Sequence, residues 1–232
     1  MKILNYIKKI LRKIPFFVSI KNRIFKFSKK SYSQFGEDLV LNSLMQNKTN
    51  VGFYVDIGAY HPHKFSNTYF YYKKRWIGLN IDARPDSMIL FKKLRKRDIN
   101  IEKGVSDKKD TLNYHMYEEP AYNTFSIDRY RELKNKEINP MEIKKVAVDT
   151  LENVLQEHLS SNQKIDFMSV DVEGHTMEVL KSNNWLRYRP EFLLVEIHDN
   201  IKESSINEYL VENGYEMVSI ANITSIYKKT KK

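Results

Sequence analysis

Short apolar runs punctuate this chain at regular intervals. Phe53-Tyr54-Val55, the stretch Trp76 to Asp82, Ile99-Asn100-Ile101, Ile165 to Val170 and Phe192 to Ile197 each have the length and the β-branched or aromatic content of a strand. Between them lie stretches of helix length: residues 34–47 with Leu39, Leu41 and Leu44, residues 66–74 rich in Tyr, a segment opened by Pro85, and residues 151–159, 175–183 and 203–212. Two further strands near 215–220 and 224–228 predict a terminal hairpin, and 111–117 another hairpin strand. Residues 120–143, polar with scattered aromatics, show no clear period. Strands alternating with helices predict βαβ units. The expected fold is therefore α/β, with a mostly parallel Rossmann-like sheet, helices on both faces and an antiparallel hairpin on one side.

The first 30 residues follow a different pattern. Ile3, Ile7, Ile10 and Ile14, with Leu4 and Leu11, recur at helical spacing, and Lys2, Lys8, Lys9, Arg12 and Lys13 lie largely off that stripe. Pro15 ends this helix near Ile14. Charge sharpens the division: the chain carries +10, and residues 1–30 hold ten of its 39 basic side chains and no acid. The other 29 face 29 acids, so the body is neutral. Two units are expected, a basic amphipathic leader over 1–30 and a globular domain over 31–232. The leader suits an anionic membrane surface; a stripe packed on the body and a nucleic-acid arm are the other readings. A secretory signal is a poorer match, because lysines interrupt the isoleucines and no small-residue cleavage site follows. No run reaches the ~18 apolar residues of a membrane span. The chain has no cysteine, which excludes disulfides, thiolate metal sites and cysteine nucleophiles and fits a reducing, cytoplasmic setting.

Three acids stand at carboxyl ends of predicted strands: Asp56, Asp82 and Asp171. In open α/β sheets ligands bind outside those ends. Each acid alone could simply start a turn or cap a helix; three on one edge point to a ligand. Gly58 allows close backbone approach after the first strand. Asp82 falls where an acid takes the two hydroxyls of a ribose, as in both dinucleotide and S-adenosylmethionine sites. Gly58 is followed by Ala59-Tyr60-His61-Pro62-His63 without the further glycines of a pyrophosphate cradle, which disfavours a dinucleotide.

The stretches SQFGEDLVLNSLM, GFYVDIGAYHPHKFSNTYFYYKKRWIGLNIDARPDS, VAVDTLENVL and IDFMSVDVEGHTMEVLK together resemble the FkbM-type S-adenosylmethionine-dependent methyltransferases, over about Tyr32 to Asp199. The resemblance implies the seven-stranded methyltransferase fold, S-adenosylmethionine as cofactor, and O-methylation of a sugar or another natural-product hydroxyl. It implies that Asp56 and Gly58 line the methionine end of the cofactor, with Asp56 holding its ammonium directly or through water. It further implies that Asp82 takes the ribose, that Val105 and Ser106 border the adenine, and that Gln34 and Glu37 close over the cofactor.

Methyl transfer to a hydroxyl needs in-line approach and removal of a proton. Asp171, Glu173, His175 and His198 are candidates for that task. Asp171, Glu173 and His198 are equally a candidate set for a divalent ion such as Mg or Mn that lowers the hydroxyl pKa. Glu196 shares strand parity with His198 and points to the same region or pairs with an arginine below it. His175, with Glu178, reads more simply as a surface turn contact, His61 and His63 as solvated loop residues, and Tyr69 to Tyr72 as helix packing. The expectation is an O-methyltransferase acting on a sugar or glycan, a surface polysaccharide or glycolipid precursor, at the inner face of the membrane, with the aromatic, polar segment from Tyr114 to Asn139 shaping the acceptor pocket. A nucleic-acid methyltransferase is disfavoured by the neutral body and the lack of an N-P-P-Y-like motif; a non-catalytic protein of the same fold is the remaining alternative.

Overall fold

A computed structural model describes residues 29–46, 50–197 and 204–230. The leader expectation therefore lies outside the described residues, as does His198. A compact unit begins at Ser31.

In chain order the elements are α1 (Glu37–Leu44), β1 (Phe53–Ile57), α2 (Tyr69–Lys73), β2 (Ile77–Asp82), α3 (Ser87–Leu94), β3 (Ile99–Glu102), β4 (Gly104–Val105), β5 (Asp110–Met116), a 3-10 turn (Pro120–Tyr122), α4 (Ile127–Asn135), β6 (Glu142–Asp149), α5 (Leu151–His158), β7 (Phe167–Val170), α6 (Thr176–Lys181), β8 (Phe192–Glu196), α7 (Ser205–Glu212), β9 (Tyr215–Ala221) and β10 (Thr224–Lys229). Seven strands form the main sheet in the order β3-β2-β1-β7-β8-β10-β9. Neighbours from β3 to β8 pair in parallel, and β10 runs antiparallel to both β8 and β9. The antiparallel strand thus lies inside the sheet rather than along its side.

Period-two alternation divides the core between two faces. Phe53, Val55 and Ile57 of β1, with Leu79, Ile81, Met168, Val170, Leu193 and Val195, pack beneath Leu151, Val154 and Leu155 of α5 and Val179 and Leu180 of α6. The other parity, Tyr54, Phe167, Phe192, Leu194 and Ile226, packs on Leu41 of α1 and Tyr71 of α2. With both faces covered, the carboxyl edge of the strands is where a ligand can reach the sheet.

Three local expectations are corrected. The helix expected from Pro85 begins at Ser87, after Asp86 in the left-handed region at φ 64. The strand near 111–117 makes one antiparallel bridge close in sequence, His115 to Thr124, but its long partner is distant: β5 pairs antiparallel with β6 from Asp110–Val148 to Met116–Glu142, and β4 pairs parallel with the carboxyl end of β6. Residues 120–143, which show no period, include α4, whose N-cap Ser126 accepts a hydrogen bond from Arg129 N at 3.2 Å.

Candidate functional site

The chain reverses strand order between β1 and β7, and the cleft opens above their carboxyl ends. It measures about 830 Å3 with the open solvent at its mouth included and is lined by Gln34, Gly58, Tyr60, Asp82, Val105 and Asp171, with Tyr114, Asn123 and Phe125 from the smaller sheet and the turn after it. Gly58, at φ 76, sits where a Cβ would overlap the carbonyl oxygen of Asp171, so the loops after β1 and β7 touch through main-chain atoms. Asp82 binds the neighbouring loops together. Its Oδ2 accepts from Tyr60 N at 2.8 Å and its Oδ1 from Arg84 N at 2.9 Å. Each oxygen keeps a second lone pair for a hydroxyl on the cleft side. Burial raises its pKa, while those two amides pull it back down.

Asp56 is not among the lining residues. Strand parity turns its side chain to the α2 face, where its Oδ2 accepts a hydrogen bond from Thr68 Oγ1 at 2.7 Å. Beside it lies Arg95, fully buried, which donates through Nη2 to Thr68 Oγ1 (3.0 Å) and Tyr54 Oη (2.7 Å), through Nε to Asp98 (2.8 Å) and through Nη1 to the Pro62 carbonyl (2.9 Å). Burial pushes the Asp56 carboxyl up to about 6 despite the opposing pull of Thr68 and Arg95. The structure thus places Asp56 behind the cleft loop, in a network that fixes that loop from below.

Val105 lines the cleft as the resemblance implied, and the Tyr114 and Phe125 rings, 4.6 Å apart, stand near it. Ser106 turns away: it is buried, and its Oγ lies 2.9 Å from His175 Nε2. His175 is accordingly no surface contact, being 8% exposed, although its Nδ1 does lie 3.7 Å from Glu178. Gln34 lines the cleft; Glu37 does not, since its Oε2 caps Phe35 N at 2.8 Å and its Oε1 accepts from Thr224 Oγ1 at 3.3 Å. His61 serves its own turn, its Nδ1 accepting from His63 N (3.0 Å) and Lys64 N (2.9 Å).

Asp171 follows β7 directly, and one oxygen each of Asp171, Glu173 and Glu196 lie within 4.8 Å of one another. Burial is the largest cause holding the Asp171 pKa well above the usual carboxylate range; the charge of Glu196 and its hydrogen bond come next. Two carboxylates this close disfavour each other's ionisation. Glu173 adopts φ 49 before Gly174 at φ 86, and Arg129 Nη2 of α4 reaches its Oε2 at 3.3 Å. The Glu173 carbonyl accepts from Thr124 Oγ1 at 2.7 Å. Oxygen donors in this number suit a hard divalent cation, with Arg129 as a competitor for Glu173. Strand parity signalled Glu196, and Tyr114, Phe125 and Arg129 fall in the aromatic, polar segment Tyr114 to Asn139; Tyr60 and Phe65 carried no separate signal in the sequence.

This strand order, reversing over a cleft that an acid from β2 and another after β7 line, is that of a Rossmann-like sheet with its ligand cleft at the switch point. The family model described as the methyltransferase FkbM domain matches residues 56–217. The chain belongs to that family, among the S-adenosylmethionine-dependent methyltransferases. No curated protein matches it. Solved structures similar to it include the METTL16 methyltransferase domain, 11% identical with a TM-score of 0.45, over 84% of this chain and 66% of that one. They also include the N-terminal domain of human METTL16 in complex with SAH (11%, 0.45, 92% and 80%) and the human methyltransferase 10 domain containing protein (10%, 0.42, 92% and 93%). This chain thus spans about two thirds of the length of the first of them.

Proposed function

We propose that this protein methylates a hydroxyl of a sugar or glycan. The observation that carries the reading is Asp171, which lines the cleft at the end of β7 with Glu173 and Glu196 beside it. S-adenosylmethionine, when bound, supplies a methyl group on a sulfonium and leaves as the thioether. Asp82 offers its free lone pairs to the ribose, and Val105, Tyr114 and Phe125 offer an apolar slot for the base. Gly58 lines the cleft on the side where the amino-acid tail would lie. Asp171, once ionised, takes the hydroxyl proton as the oxygen forms its new bond to carbon and the carbon–sulfur bond breaks. A carboxylate of raised pKa is the stronger base once ionised, which suits a hydroxyl acceptor. The same three carboxylates support a second reading, in which Mg or Mn lowers the hydroxyl pKa in their place.

A carbohydrate acceptor is favoured over nucleic acid because residues 31–232 balance 29 basic against 29 acidic side chains and the cleft floor is acidic; a backbone of phosphates calls for a basic face. Placement at the inner face of an anionic membrane rests on the leader's composition. Among the described residues no helix is long and apolar enough to cross a membrane.

Calorimetric titration of S-adenosylhomocysteine into wild type and Asp82→Ala, with and without Mg or Mn, tests the cofactor reading. One-site binding that the variant loses is the expected result. Absence of binding to folded wild type makes the non-catalytic alternative the better one. Asp171→Asn should retain S-adenosylhomocysteine binding and lose about 10²–10⁴-fold in turnover on a glycan acceptor. Turnover that a chelator abolishes and Mn restores would transfer the role to a metal.

A further inference from the structure

The neutral total of the body conceals a division of charge. Residues 69–97 carry nine of its 29 basic side chains and two of its 29 acids, so the rest of the body is acidic by seven charges. Helix α3 displays that segment. Met88 and Phe91 are fully buried and pack with Ala59, and Arg95, just past the helix, is buried too. The opposite face turns Ile89, Leu90, Lys92, Lys93, Lys96 and Arg97 to solvent. Ile89 is 66% exposed and Leu90 38%. Asp98, the nearest acid in sequence, is buried and held by Arg95 at 2.8 Å. Among the described residues no carboxylate stands within ion-pair distance of Lys92, Lys93, Lys96 or Arg97.

The face continues onto the end of α2. The Arg97 guanidinium lies 3.8 Å from the centre of the Tyr72 ring, and Lys73, Lys74 and Arg75, all exposed, follow Tyr72. Lys73 Nζ donates to Tyr32 Oη at 2.8 Å, and Tyr32 is the second residue of the body. The chain thus enters the body at the rim of this face, directly after the ten basic residues of segment 1–30. No residue of α3 lines the cofactor cleft.

A partner for this face must be anionic and must also give two aliphatic side chains an apolar place to go. An anionic bilayer does both, since headgroups meet the cations and the acyl boundary takes Ile89 and Leu90. Nucleic acid meets only the first need: phosphates bury no aliphatic side chain, and the Tyr72 ring that could stack on a base is already covered by Arg97.

We propose that the outer face of α3, with the end of α2, is a membrane-contact surface of the body, which acts beside the leader on anionic lipid. Lasting attachment takes two such signals, each weak alone. The surface belongs to the body, so the inference goes beyond the reading of the leader, and it does not depend on the reaction catalysed.

Sedimentation of the full chain with phosphatidylcholine vesicles holding about 30% phosphatidylserine tests it. Lys93→Gln with Lys96→Gln should weaken binding about thirtyfold. Lys144→Gln with Lys145→Gln, an equal loss of charge at two exposed positions of β6, should change it little. Both pairs should bind S-adenosylhomocysteine as wild type does. Because the chain has no cysteine, Ile89→Cys can carry a single environment-sensitive dye. Its emission should shift to the blue on these vesicles, and that of the same dye on Ile143→Cys in β6 should not. Equal weakening by the two lysine pairs, or no shift of the dye on Ile89→Cys while the protein sediments, would overturn the second surface and leave the leader reading intact. Wild type that stays in solution would overturn both. If Lys93→Gln with Lys96→Gln loses binding to a single-stranded oligonucleotide and keeps binding to vesicles, the face belongs to nucleic acid and the lipid proposal fails.

Discussion

Asp56 and Asp82 carry the same side chain near the ends of neighbouring strands, and their surroundings divide their work. Asp82, the last residue of β2, lines the cleft; Asp56, one short of the end of β1, faces the other way. Because burial raises the Asp56 pKa to about 6 from 3.8, the folded state binds that proton more tightly than the unfolded chain does. The stability this provides is complete below pH ~4 and is lost as pH rises through about 6. Asp56→Asn keeps an acceptor for Thr68 and never ionises. It should resemble wild type at pH 4 in chemical denaturation and gain on it by about 3 kcal/mol at pH 7.5. A constant difference across that range would mean that the buried carboxyl ionises without penalty. S-adenosylhomocysteine affinity in the same variant separates the two roles: unchanged affinity fits a residue behind the loop, and a large loss would restore the expected contact with the ammonium.

The loop between β1 and α2 is held from two sides, by Asp82 through Tyr60 N and by Arg95 through the Pro62 carbonyl. Arg95→Met leaves Asp98 buried without its ion-pair partner and should cost about 3–5 kcal/mol in denaturant unfolding. A cost below 1 kcal/mol would show that Tyr54, Asn80 and the Gly78 amide already satisfy Asp98. At this scale the sequence was legible wherever apolar runs are continuous, as in β1, β2, β7 and β8, since strands buried on both faces show little else. It was hard to read in β6, whose first half is Glu142, Ile143, Lys144 and Lys145, largely exposed. The partner of β5 was hidden for the same reason. Segment 120–143 looked featureless because α4 buries little besides Leu133. It nonetheless supplies Arg129 and Thr124 to Glu173, contacts that depend on tertiary approach rather than on local pattern. The site residues at strand ends could be located along the chain, but the side to which each pointed depended on one-residue shifts in where a strand stops.

For the molecule as a whole, charge and chemistry are separated: the acids that matter gather at the sheet edge, and the surplus of positive charge lies in residues 1–30. Deletion of residues 1–30 should abolish sedimentation with anionic vesicles and leave S-adenosylhomocysteine affinity as it was. Unchanged vesicle binding would remove the membrane reading. The inserted strand β10 has a consequence of its own. It follows every other strand of the main sheet in chain order, yet it lies between β8 and β9, and Thr224 at its start pairs with Glu196 at the end of β8. During synthesis from the amino end, the chain up to β8 can assemble the cofactor cleft while the outer edge of β8, with Glu196 at its tip, still lacks its neighbour. A released chain truncated near residue 200 should show an open, association-prone edge at β8, which the full-length chain closes.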